Sequence, residues 1–122
     1  MAGNLSDYAA NATLNALLAG TVYVALHTGA PGTSGAANEI GAGVGYARQA
    51  ATFPGAGRSR SNAANITFGP ASGAGFGTAS HVSIWDAAIG GNCIWQGALG
   101  ASQLIPAGIP GTIAAGTLTV SF

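Results

Sequence analysis

Six side chains carry formal charge in this chain, Asp7, Glu39, Asp86, Arg48, Arg58 and Arg60, and lysine is absent. Three cations against three carboxylates give a net charge of zero, and charged residues make up 5% of the 122, where ordinary soluble domains carry about 25%. Net charge is what keeps free proteins apart, so a surface this neutral is expected to associate. Disorder does not explain the composition. Disordered chains combine low hydrophobicity with high net charge, and here 48% of the residues are hydrophobic. The chain is therefore expected to fold and to be shielded by neighbouring subunits.

The length fits one domain, 1–122, with one core, and a domain of this size needs neither metal nor disulfide to fold. Cys93 is the single cysteine and cannot make an internal bridge. The most apolar stretch, Ala16 to Leu26, is interrupted by Gly20 and Thr21 and falls short of the ~18 residues that span a bilayer. The start, MAGNLSDY, has no positive region of a signal peptide. The N-x-S/T triplets at Asn4, Asn11 and Asn65 are accordingly read as chance matches. Nucleic acid is not an expected partner, because phosphate binding needs many more cations than three arginines supply. A membrane is not expected either.

Periodicity gives one helix followed by strands. Ser6 or Asp7 can cap a helix over about 6–19, Leu14, Leu17 and Leu18 make its apolar stripe, and Gly20 suits its C′ position. From Thr21 the period becomes two. Val22, Val24 and Leu26 point one way and Tyr23, Ala25 and His27 the other, with neither face strongly polar, so this strand is expected to be covered on both sides or to sit at an interface. A long loop at 28–45 precedes a strand at Tyr46–Phe53. A second loop at 54–62 holds Arg58 and Arg60, and Ala64–Phe68 reads as a strand. Thr78–Trp85 and Asn92–Leu99 make the clearest hairpin, with DAAIGGN as its turn. A short strand near Gln103–Ile105 and a last strand at Thr112–Phe122 complete the chain, with Leu118, Val120 and Phe122 facing in. One helix and about seven or eight short strands predict an all-β fold, an antiparallel β-sandwich or jelly-roll-like barrel over 21–122.

Chemistry is sparse. His81 and Asp86 with one of the serines could be imagined as a triad, but no G-x-S-x-G elbow marks a nucleophile and Ser83 sits between strand residues. His27, His81 and Cys93 lack metal-ligand spacing. GAGVGY (41–46) and GAGFGT (73–78) lack the third glycine of G-x-G-x-x-G, and without lysine there is no Walker A loop. No catalytic, cofactor-binding or metal-binding residue is assigned, and no enzyme is expected.

The segments GNLSDYAANATLNALL, VYVALHTGAPG, GYARQAATF, NAANITFGPA, GTASHVSIWDAAIGGNCIWQGAL and AAGTLTVSF are similar to a family of small tailed-bacteriophage virion proteins labelled "phage tail fibre protein". The most specific parts are VALHT-x-x-P-G, GYARQ and I-W-D-A-x-x-G-G-N. The resemblance implies a virion structural protein and brings no catalytic residue with it. A fibre usually gains length from repeats, heptads or a β-helix, none of which is present. The expectation is therefore a capsid decoration or cement protein on the head surface, a homotrimer that bridges capsomers and binds the major capsid protein or its own copies. The alternative is a tail-fibre or tail-tip module whose loops at 28–45 and 54–62 read a host surface glycan. Candidate contacts are Leu14, Leu17 and Leu18 on the helix, the aromatic residues Tyr23, Tyr46, Trp85 and Trp95, and the arginines Arg48, Arg58 and Arg60.

Overall fold

The computed structural model describes Gly3 and residues 5–121. The Asn4 triplet and the inward-facing Phe122 expected of the last strand lie outside the described residues.

Helix α1 (Asp7–Leu17) starts where its capping residues predict, with Ser6 Oγ accepting the Ala9 N–H at 3.2 Å. Its end comes earlier than expected. Leu18 is the C-cap, so Gly20, at φ +67°, lies one residue beyond the C′ position assigned to it. The buried stripe is Ala10, Leu14 and Leu18, while Leu17 is 38% exposed. The stripe follows four-residue spacing, which rotates residue 17 off the packed face.

Strand β1 (Val22–His27) pairs antiparallel with β2 (Gln49–Ala51) and with β5 (Gly77–Trp85). β5 continues into β6 (Cys93–Ile105), so the main sheet has the order β2-β1-β5-β6. Opposite it lie two short antiparallel pairs, β3 (Ser59–Ser61) with β8 (Thr119–Ser121) and β4 (Ile66–Phe68) with β7 (Gly111–Ile113). The result is a β-sandwich with a single short α-helix. Val22, Val24 and Leu26 of β1 and Val82 and Ile84 of β5 meet Ile66, Phe68, Leu118 and Val120 from the other layer in one core, joined by Leu14 and Leu18. Tyr46 packs parallel to Phe68 with ring centroids 6.0 Å apart and edge-on to Phe76 at 5.9 Å.

Four sequence expectations change. The loop at 54–62 contains β3. The strand at 46–53 shrinks to three residues. Gln103–Ile105 is the end of β6, which reaches it through an irregular stretch, Leu99–Ser102, that faces Ser80 alone. The expected strand at 112–122 is two strands in two different sheets. The break is a turn in which Ala114 O accepts both the N–H and the hydroxyl of Thr117, while Gly116 N–H donates to Asn62 O. Asn62 is buried and knits that turn to the 62–64 segment. Its Nδ2 donates to Ala64 O at 2.8 Å and Ala114 O at 3.0 Å, and its Oδ1 accepts the Leu118 N–H at 3.0 Å. Leu118 and Val120 face in as expected.

Both faces of β1 are covered. The second cover is the loop at 28–45, which folds back over the outer face. Ala37 N–H donates to Pro31 O and Thr28 N–H to Asn38 O, both at 3.0 Å, and Gln96 of β6 reaches Gly32 O. Gly35, at φ +78°, lies so close to the sheet that a methyl group there would sit 2.3 Å from Cys93 Sγ.

Candidate functional site

The chain's few charges are gathered in two places. At the first, Glu39 of the folded-back loop meets Tyr46 and Arg48, which lie just before β2. Arg48 Nε donates to Glu39 Oε2 and Nη2 to Oε1, both at 3.0 Å, in a bidentate pair. Its Nη1 donates to the carbonyls of Ala87 (3.1 Å) and Gly90 (2.8 Å) in the β5–β6 turn. The guanidinium lies 3.9 Å from the Trp85 ring centroid, within cation–π range. Tyr46 O–H donates to Glu39 Oε2 at 2.7 Å and accepts the Leu26 N–H at 3.1 Å. Burial pushes the Glu39 carboxyl up, but hydrogen bonds from Arg48 and Tyr46 outweigh it and leave the carboxyl below its usual range. Burial, then the Glu39 hydrogen bond, pushes the Tyr46 hydroxyl well above its usual range. Arg48 thereby fixes the hairpin turn to the loop. The turn is also closed by Asp86, whose carboxylate accepts the Asn92 N–H at 2.7 Å and Asn92 Nδ2 at 3.0 Å, and these bonds hold its carboxyl below the usual range.

Beneath the same loop lies a neutral polar chain. His27 Nδ1 is 2.8 Å from Ala37 O, an acceptor only, so Nδ1 carries the proton. Nε2 then accepts from Ser83 Oγ at 2.7 Å, and Trp85 Nε1 donates to the same hydroxyl at 2.7 Å. Burial drives the His27 pKa down, which keeps the ring neutral. His27 and Ser83 are fully buried, so this serine–histidine contact has no access for a substrate. His81 Nδ1 instead pairs with Ser80 Oγ at 2.8 Å, away from the Asp86–Asn92 contact.

The second charged place is the underside of α1. Arg58 Nη1 donates to Leu5 O at 2.7 Å and Asp7 Oδ1 at 3.1 Å, and Arg60 Nη2 donates to Asn11 Oδ1 at 2.9 Å. Arg60 is buried, which requires such partners. Elsewhere, an uncharged groove of about 410 Å³ runs between β6 and the 112–119 segment, lined by Trp95, Leu99, Ile113, Leu118 and Gln103 among others. Among the described residues no three His, Cys, Asp or Glu cluster as metal ligands would, and no helix is long and apolar enough to cross a membrane.

Residues 4–121 match the family described as Podophage GP4 fiber I protein gp80. The chain belongs to that family. No curated protein matches the sequence. Membership makes the chain a phage virion structural protein of the fibre type.

The segments that carried the resemblance converge in space. VALHT supplies Leu26 and His27, GYARQ supplies Tyr46 and Arg48, and I-W-D-A-x-x-G-G-N supplies Trp85, Asp86 and the two carbonyls that Arg48 holds. These spacings therefore encode one brace. Of the expected contact residues, Tyr46, Arg48 and Trp85 belong to this brace and Leu14 and Leu18 to the core, so little of their surface faces outward. Arg58 and Arg60 hold α1 rather than standing free on a loop. Leu17, Tyr23 and Trp95 keep accessible surface. Sequence reasoning missed Glu39, Asn62 and Asn11. Glu39 did leave a signal, as the one carboxylate between Asp7 and Asp86 in a chain with three arginines. Asn62 and Asn11 left none, since the partners of both, one buried beside β3 and one half-buried on α1, come from distant segments.

Proposed function

We propose that this chain is a non-enzymatic structural subunit of the phage tail-fibre apparatus that joins its neighbours through uncharged surface. One observation carries the reading: each charged side chain of the described residues has a hydrogen-bond partner within the subunit. Arg48 is paired with Glu39, Arg58 with Asp7, Arg60 with Asn11, and Asp86 with its own turn. Asp7, Arg58 and Asp86 stay at the surface beside their partners, and the rest of the surface left for contact is methyl, hydroxyl and amide, which suits packing in an assembly better than recognition of a charged ligand. The description of the family as a fibre protein supports the tail over the capsid surface. The folded-back loop at 28–45 is tied down by hydrogen bonds within itself and to β6, which suits a fixed neighbour.

Labelling of the protein on intact particles, with copy number counted per virion, tests the location. A small fixed number confined to the tail is expected. Hundreds of copies over the head would replace this reading with the capsid decoration role.

A further inference from the structure

We propose that two copies of this chain pair edge to edge through β6, antiparallel, about a two-fold axis close to Ala101. The inference goes beyond the location on the particle and holds for either one. Among the described residues β6 has a ladder partner on one side only, β5, and its 13 residues make it the long open edge of the main sheet, whereas the opposite edge, β2, has three. Proteins guard such edges with lysine, proline or inward charges. β6 has none of these, and from Ala87 to Phe122 not one residue is Asp, Glu, Lys, Arg or His. Leu104, on this edge, is 67% exposed.

The choice of a second copy follows from charge and geometry. A two-fold axis sets a strand against itself, so an ionised residue near the axis would meet its like. This strand has no such residue to forbid the pairing. A charged partner would be desolvated here without a counter-ion, because both charged clusters of the chain lie elsewhere. The irregular stretch Leu99–Ser102 would ordinarily turn an edge away from pairing. Here Gly100, Ala101 and Ser102 are small and exposed, which permits close approach of two strands that are irregular at the same place. With Ala101 on the axis, Leu104 of each copy stands opposite Ala98 of the other. Pairing would thus take an exposed leucine from water. β6, with the exposed corner at 106–110 and the turn at 114–117, reaches the roughly 20–30 residues a side of a standard interface. A two-fold dimer would stand in place of the homotrimer expected with the capsid-decoration reading.

The test uses the purified full chain. Sedimentation is expected to give a dimer. Ala101→Lys should abolish it, because each lysine would meet its copy, whereas Ala12→Lys, which adds the same charge on the exposed side of α1, should leave it intact. Ala101→Cys in a Cys93→Ala background should form an interchain disulfide under mild oxidation, since directly opposed antiparallel residues lie within disulfide reach. This arm stands even if the lysine variant fails to fold. A monomer at the highest soluble concentration, a trimer, a dimer indifferent to Ala101→Lys, or an absent cross-link would each overturn the proposal.

Discussion

Replacing Arg48 by methionine removes the brace while keeping the length of the side chain. The guanidinium makes four hydrogen bonds, two to Glu39 and one each to the Ala87 and Gly90 carbonyls, and lies on Trp85. The two side chains of the pair are 9% and 22% exposed, so water replaces little of what is lost. Removing one partner of a largely buried pair destabilises by about 3–5 kcal/mol, because the other charge stays behind unpaired. For a domain of this size that corresponds to a fall in Tm of roughly 10–20 °C. Glu39→Gln should destabilise less, about 1–3 kcal/mol, since an amide oxygen can still accept from Tyr46 and Arg48. Adding Glu39→Gln to Arg48→Met should recover part of the loss, because no bare carboxylate then remains. Urea unfolding of the two single variants and the double variant, at one protein concentration, closes the cycle. A loss below about 1 kcal/mol for Arg48→Met, or strict additivity in the double variant, would refute the brace as a coupled unit.

Because the folded His27 pKa is depressed chiefly by burial, the unfolded chain binds a proton at higher pH than the folded one. Stability should be fully present above the ordinary histidine value of ~6.5 and fall as pH drops below it, before the carboxylates titrate. Urea midpoints between neutral and mildly acidic pH should show this slope, and His27→Asn should flatten it. Asn62→Ala leaves the Ala64 carbonyl and the Leu118 N–H without their side-chain partner and takes one of three donors from Ala114 O, and should destabilise by about 2–4 kcal/mol, measured by thermal unfolding. Cys93 is half-buried and its thiol is pushed up by burial, so it should react slowly with thiol reagents. Gly35→Ala, which drives a methyl into Cys93, should displace the loop and speed that labelling several-fold.

Local pattern was legible wherever one segment carried its own signal. Ser6 and the leucine spacing announced α1, and the alternation at Val22–His27 correctly implied a strand covered twice. The DAAIGGN turn announced the β5–β6 hairpin, and Leu118 and Val120 announced which side of the last strand is buried. Leu17, the ends of β2 and the split of residues 112–122 were not legible. Each depends on what lies opposite, and Asn62, more than 50 residues from Ala114, decides where the last strand breaks.

The sequence alone determined that this chain would be an all-β protein short of charge, because composition and period are properties of residues near one another in the chain, and its motifs carried the resemblance to phage virion proteins. Only the tertiary structure decided where the charges go. With three arginines and three carboxylates spread over 122 residues, no spacing rule pairs Glu39 with Arg48 or Arg60 with Asn11. Those partners meet because sheet order and the folded-back loop bring them within 3.0 Å and 2.9 Å. The same long-range packing leaves β6, a strand without charged residues, at the edge of the main sheet among the described residues.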